Sequence, residues 1–418
     1  MRRIPHLRWW ITGLLFASTV INYVDRQTLS ILARTIQNEL GMSELDYAHV
    51  VQAFLLAYTV AYLLAGRITD WLGARLSLAL FLGWWSLADL LTGLARSAFS
   101  LGVLRFLLGL GEAGNYTAAP KAVSEWFLPR ERALAVGIYT AGAMVGATIS
   151  PPLISWLGGA FGWRMAFVAT GAMGLLWLIP WLWLYREPWR HPRISAEEAA
   201  HVPPRPPAAE GGVSEWENWK NVLSLRSAWL LMGARLLTDP VWYFYLFWFP
   251  KYLTDARGLT LAQVGKVAWM VYLAADLGSV LGGTLSGRLI RKGMLPVAAR
   301  LRVMTLAALM APLGALVALK PPLGFALSLA ALVSFSHLTW QVTLSALIVD
   351  LFPPRIVATV FGLVAAGSGL GGLLSTGGVG RLVTAYSYAP VFALMGILHP
   401  CGLLVARLVR GGEGGERG

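Results

Sequence analysis

The sequence predicts an all-α, polytopic membrane protein, with twelve transmembrane helices in two six-helix, pseudo-symmetric halves. Three observations carry this. First, the 418-residue chain is 56% hydrophobic and only 13% charged, with a mean hydropathy of +0.61, whereas a soluble domain has about 25% charged residues. Second, apolar segments of helix-spanning length recur through nearly the whole chain, without the short alternating runs of a transmembrane barrel. Third, the second half of the sequence repeats the first.

In order, the apolar segments cover residues 9–33, 46–66, 76–95, 99–120, 133–157, 164–186, 226–253, 261–286, 296–319, 322–347, 357–380 and 386–408. The first is too long for a signal-peptide core and has no small-residue cleavage site, so it is expected to stay as a helix. One long polar stretch, 187–225, separates the sixth segment from the seventh. It is rich in Pro, Glu, Arg and Gly and reads as a linker with a short surface helix. Three regions follow: an N-terminal six-helix bundle over 1–186, a cytosolic linker over 187–225 and a C-terminal six-helix bundle over 226–418.

The net charge of +13 raises the possibility of nucleic-acid binding. That reading is excluded because the Lys and Arg residues sit in the short gaps between apolar runs. Arg2, Arg3, Arg8, Arg67, Arg75, Arg130, Arg132, Arg288, Arg291, Lys292, Arg300 and Arg302 all fall on one side if both termini and the linker are cytosolic. This positive-inside bias sets the expected orientation in a cytoplasmic, inner membrane. A single cysteine, Cys401, excludes an intrachain disulfide and a cysteine metal cluster. No metal-ligand constellation, phosphate-cradling loop or appended ATPase domain is present, so no cofactor is expected, and neither is enzymatic activity.

The repeat is legible residue by residue. WFLPRERALAVGIYTAGAMVG, from Trp126, aligns with LFPPRIVATVFGLVAAGSGLG, from Leu351, at an offset of 225. Phe127 meets Phe352, Pro129 meets Pro354, Arg130 meets Arg355, Gly142 meets Gly367 and Gly146 meets Gly371. Two six-helix copies in the same orientation point to a transporter whose halves move about a central site.

GRITDWLGARL, Gly66 to Leu76, resembles the loop between the second and third helices of the major facilitator superfamily, and GGTLSGRLIRKG, Gly282 to Gly293, resembles its degenerate second copy. With NYVDR, RFLLGLGEAGNYTAAPKAVSEWFLPRERA and DPVWYFYLFWFPKYL, the chain resembles the anion:cation symporter family within that superfamily, nearest its hexuronate transporters. The resemblance implies the major facilitator fold and movement of a small organic anion together with protons across a lipid bilayer.

The charged residues inside the apolar segments carry the chemistry. Asp25 and Arg26 lie about 25 Å along the first helix from Arg8, at 1.5 Å per residue, and the apolar pattern continues beyond them. Ionisable groups at such depth mark function by default. In the fourth segment Arg105 and Glu112 are two turns apart and share a face, and Gly109, Gly111 and Gly114 permit close approach of a neighbour. An arginine always carries charge, and its planar fork fits a carboxylate through two bonds, whereas a carboxylic acid can take up and release a proton. Arg26 and Arg105 are therefore expected to hold an anion, and Asp25 and Glu112 to carry protons. The alternative for Arg105 is a structural ion pair, within its own helix or with Asp25. The family resemblance implies the same roles for these four positions.

The resemblance also implies that Tyr23 and Tyr58 line a substrate cavity. Trp242 and Tyr243 on the seventh segment, and Trp340 and Gln341 on the tenth, are further expected contacts. His337 reads as a hydrogen-bonded structural histidine, and Arg235 and Asp239 as a structural i,i+4 pair. Ala143 and its repeat mate Ser368 stand where galactonate-type members have amides, which argues against galactonate. Gly66, Asp70, Gly73 and Arg75 read as a gating latch, one-sided because the second copy has Gly287 in place of the acid. Glu125, Arg130 and Arg132 are expected to join that cytosolic girdle.

The sequence thus indicates a proton-coupled symporter importing a sugar-acid anion, a hexuronate, as a monomer. Exchange or efflux of an organic anion by the same residues is the alternative, and a non-transporting membrane sensor a more distant one.

Overall fold

A computed structural model of the protein describes residues 3–203, 215–352 and 354–409. No strand occurs among the described residues, and all twelve predicted segments fall on helix.

In the N-terminal half, α1 (Leu7–Ile31) is followed by the short α2 (Ala33–Leu40). The second and third segments form one element, α3 (Glu44–Thr92), broken at Gly73. Gly73 has φ 75° and ψ 164°, a conformation that favours glycine. The fourth segment divides into α4 (Ala98–Glu112) and α5 (Asn115–Trp126). Ser97 opens α4 with a reciprocal cap to Ser100, fixing where its helical register begins. α6 (Pro129–Phe161) starts on a proline, which loses no hydrogen bond at that position, and Gly162 separates it from α7 (Trp163–Leu184).

The linker contributes α8 (Ala196–Ala199) and α9 (Glu215–Ser224). The C-terminal half then runs α10 (Arg226–Phe247), α11 (Phe249–Asp255), α12 (Leu261–Val267), α13 (Trp269–Arg291) and α14 (Pro296–Met310). After a 3₁₀ stretch, Ala311–Leu319, come α15 (Leu323–Leu351), α16 (Pro354–Tyr386) and α17 (Ala389–Leu408).

Among the described residues, 8 helical stretches are long and apolar enough by themselves to cross a membrane. The first, second, fourth and seventh predicted segments fall outside that set. Three of these four carry the buried charges Asp25 and Arg26, Arg105 and Glu112, and Asp239. In the fourth segment length alone decides, since its two helices, Ala98–Glu112 and Asn115–Trp126, have 15 and 12 residues.

By contacts the chain divides into two compact units, Met1–Met42 with Ala53–Gly212, and Ser43–Gln52 with Val213–Gly418. The break at 212 lies inside the linker read from the sequence, and the first turns of α3 group with the second unit.

Each unit is organised around a close helix pair, and the pairs correspond. In the first unit α6 lies against α1, where a Cβ on Gly142 would stand 2.4 Å from the Phe16 carbonyl oxygen and one on Gly146 2.7 Å from that of Val20. In the second unit α16 lies against α10, where Gly367 and Gly371 place the same demand on the carbonyls of Met232 and Leu236, at 2.5 and 2.4 Å. These four are the glycines that the sequence repeat pairs. Helices in lipid associate through packing rather than the hydrophobic effect, so small residues that let backbones meet are the natural seam.

The linker also fastens the start of α1. Glu198 accepts the backbone N–H of Leu7 at 2.8 Å and that of Arg8 at 3.2 Å. A helix N-terminus has unpaired donors and a partial positive charge, and one buried carboxylate answers both.

Candidate functional site

Asp25 and Arg26 are consecutive on α1, so their side chains leave the helix about 100° apart. They join two different charge clusters, both within the first unit.

Arg26 turns to α4. Its Nε and Nη2 donate to the same Glu112 oxygen, Oε2, at 2.9 and 2.6 Å, and Nη2 also approaches Asn22 Oδ1 at 3.4 Å. The guanidinium carbon lies 5.2 Å from the Tyr23 ring centre, 5.3 Å from Phe54 and 4.9 Å from Tyr58. Aromatic faces attract a cation by about 2 kcal/mol when both are desolvated. Glu112 Oε1 is buried with no hydrogen-bond partner. α3 reaches this point because Gly109 lets the Phe54 carbonyl approach α4, where a Cβ would sit only 2.5 Å away.

Asp25 turns to the third helical segment. Its Oδ2 accepts from the Trp85 indole N–H at 3.1 Å, its backbone carbonyl accepts from Arg105 Nη1 at 3.4 Å, and its Oδ1 is buried with no donor. Arg105 is committed to Asp89: Nη2 donates to Asp89 Oδ1 at 2.6 Å and to Thr92 Oγ1 at 3.1 Å. Thr170, on α7, donates to Asp89 Oδ2 at 2.6 Å, and the Phe167 ring lies 4.9 Å from the Arg105 guanidinium.

Arg105 was expected to hold an anion. Its guanidinium is 1% exposed and already bound to a carboxylate that the sequence reading did not single out. Arg26 is the most exposed of the five charged residues at 7%, and Asp25, Asp89 and Glu112 are fully buried. Asp89 had a legible signal, a lone acid within the apolar run WWSLADLLTG. Its partnership with Arg105 had none, because it depends on how α3 folds back against α4.

The remaining candidates lie in the second unit. Tyr243 Oη is 3.4 Å from Ser368 Oγ, joining α10 to α16. Trp242 stacks on His337 with ring centres 5.8 Å apart and an interplanar angle of 5°, and meets Tyr272 edge-on. His337 Nδ1 is 3.2 Å from His399 Nε2, and both histidines are buried. Trp340 is fully buried, edge-on to His399 and within the apolar core of this unit, and Gln341 beside it is half-buried. Arg235 and Asp239 form an ion pair at 2.7 Å.

The expected gating residues divide. Gly66 and Gly73 have open space where a side chain would stand. Arg75 Nη2 donates to the Leu182 carbonyl at 2.6 Å, and the Trp181 indole N–H donates to the Arg75 carbonyl at 2.9 Å. Glu125 accepts from the Tyr185 hydroxyl at 2.6 Å. Arg75 and Glu125 thus both meet the end of α7. The side chains of Asp70, Arg130 and Arg132 lie outside the described residues. No group of three or more His, Cys, Asp or Glu side chains suited to a metal occurs among the described residues.

Comparison with known proteins identifies the family. The family model for the Major Facilitator Superfamily matches residues 15–376. The hexuronate transporter of Escherichia coli is 32% identical over 408 residues, covering 97% of this chain and 94% of that protein. The galacturonate transporter of Dickeya chrysanthemi is 35% identical over 285 residues, covering 68% of this chain and 82% of that protein. Among solved structures, a bacterial homologue of the human lysosomal transporter Spinster, inward-facing and unoccupied, shares the fold with a TM-score of 0.72 at 18% identity, over 98% of this chain and 96% of that one. The chain belongs to the major facilitator superfamily and is a multi-pass membrane transporter.

Proposed function

We propose that the protein imports a small sugar-acid anion, a hexuronate, together with protons, by alternating access. The observation that carries this reading is the Arg26–Glu112 ion pair, ringed by Tyr23, Phe54 and Tyr58. Arg26 is the cation that an arriving carboxylate meets first, being the least buried of the cluster. A carboxylate that takes its fork displaces Glu112. A buried carboxylate stripped of its counter-charge costs several kcal/mol, so Glu112 is stable after displacement only as the neutral acid. Anion binding and proton uptake are then one event. The tyrosine hydroxyls of Tyr23 and Tyr58 suit the hydroxyls of a sugar acid.

Asp25 supplies a second proton-carrying group, and Arg105 acts by fixing Asp89 and the Asp25 backbone. Trp242, Tyr243, Trp340, Gln341 and Ser368 are the second unit's proposed contacts to the sugar. Gly66, Asp70, Gly73, Arg75, Glu125, Arg130 and Arg132 form the proposed cytosolic latch. The names of the relatives support the choice of a hexuronate, and the positive-inside bias supports an inner-membrane location with cytosolic termini. A monomer suffices, because both halves are in one chain.

Moving one charge against 100 mV costs about 2.3 kcal/mol, so a monoanion entering a negative cell needs at least one accompanying proton to escape that cost. The test is uptake by proteoliposomes under an imposed pH gradient, across a panel of uronates and aldonates. Gradient-driven accumulation of a uronate is expected. Glu112→Gln is expected to abolish accumulation and retain exchange. Equal loss of both in folded protein rejects the coupling role, and exchange indifferent to pH in the unmodified protein rejects symport.

A further inference from the structure

The charges buried around Asp25 and Arg26 do not balance. Among the described residues, Asp25, Asp89 and Glu112 face only Arg26 and Arg105, three acids against two bases, on α1, α3 and α4. Fully ionised, the cluster carries one net negative charge in a region with almost no solvent exposure. One proton makes it neutral, and the geometry identifies its location.

Glu112 has a counter-charge on its carboxylate, two N–H groups of Arg26 on Oε2, although its Oε1, like Asp25 Oδ1, is buried without a partner. Asp89 is satisfied as an anion by Arg105 on one oxygen and Thr170 on the other. Asp25 has only the Trp85 indole on one oxygen, and the other is buried without a donor. Asp25 and Asp89 are neighbours: Trp85, which donates to Asp25, stands one turn before Asp89 on α3, and Arg105, which is bound to Asp89, also reaches the Asp25 backbone carbonyl. Two carboxylates cannot bond to each other, but a carboxylic acid and a carboxylate can, through a short charge-assisted hydrogen bond. The other groups facing Asp25 are Arg105, whose fork reaches its backbone carbonyl, and Glu112, which is engaged by Arg26.

We propose that Asp25 and Asp89 hold one proton between them, so that Asp89 is the second carboxyl of the transporter's proton site and Arg105 its fixed counter-ion. In this arrangement the O–H bond is on Asp25 and points to Asp89. On release that bond breaks, the proton passes to water and the electron pair stays on Asp25. Asp89 is a positioning residue: it holds the acid proton and ties it to Arg105 and α7. The transport consequence rests on the proposed symport reading, but the proton itself does not.

The experiment is infrared spectroscopy of the full-length, substrate-free protein at neutral pH in an ester-free detergent, in H₂O and in D₂O. One carbonyl-stretch band of a protonated carboxyl group, shifted by D₂O, is expected. It is expected to vanish in Asp25→Asn and equally in Asp89→Asn, because the remaining acid then ionises beside Arg105. A band that survives Asp89→Asn places the proton on Asp25 alone and overturns the proposal, as does the absence of any band in the unmodified protein. If Asp89→Asn does not fold, Asp89→Glu decides. Its band should persist at a shifted frequency, and an unshifted band overturns the pairing. No substrate is used. Failed hexuronate uptake with the band as described therefore rejects the symport reading and leaves the shared proton standing.

Discussion

Arg26 on α1 and Glu112 on α4 are joined by two N–H···O contacts to a single carboxylate oxygen, at 2.6 and 2.9 Å, inside a cage of three aromatic rings. The pair links two helices, and in the proposed function it is also the fork that the anion takes, with Glu112 as its surrogate. This double character makes it testable by substitutions that separate charge from shape.

Arg26→Lys keeps the positive charge and loses the planar fork. Losing one charged hydrogen bond costs about 1.5–3 kcal/mol, a tenfold to hundredfold weakening of uronate binding. Substrate-dependent quenching of tryptophan fluorescence in purified protein measures it. Affinity unchanged within threefold would show that the anion does not use this guanidinium.

Arg105→Leu is expected to act on stability before transport. It removes the counter-charge of a buried Asp89, and breaking a buried pair from one side costs about 3–5 kcal/mol. A large fall in Tm in detergent is the expected result. Adding Asp89→Leu should recover much of it, since replacing both members by apolar groups is often close to neutral. A double variant no more stable than the single would show that the pair is not the relevant contact.

Gly142→Leu and Gly367→Leu probe the same seam in the two repeats. Each introduces a side chain where a Cβ alone would lie 2.4–2.5 Å from a backbone carbonyl of the facing helix. Overpacking costs about 1–3 kcal/mol or more. Thermal unfolding should show both variants destabilised to a similar degree, whereas Gly137→Ala, with open space around it, should be nearly silent. A clear difference between the two leucine variants would show that the α1–α6 and α10–α16 contacts are not energetically equivalent.

Glu198→Ala removes the cap that the linker places on α1. The loss of a helix cap costs about 1 kcal/mol, and the buried position of Glu198 favours the upper part of that range. Proteolysis of the linker should become faster in the variant at equal temperature. Unaltered cleavage and Tm together would mean that the contact adds nothing to the folded state.

The membrane helices, the repeat and the placing of Asp25, Arg26, Arg105 and Glu112 within apolar segments were all legible in the sequence by itself. Hydrophobic length, the spacing of charges and the matched glycines act locally along the chain, and a bilayer admits few other ways to satisfy the backbone. Which acid meets which base is a property of how helices far apart in sequence are rotated against one another. Only the tertiary structure gave Glu112 to Arg26 and Asp89 to Arg105, and left one oxygen of Asp25 without a donor. Likewise, a glycine in the sequence marks a place where a close approach is permitted, but the carbonyl that arrives there, Phe16 for Gly142 and Met232 for Gly367, is chosen by packing.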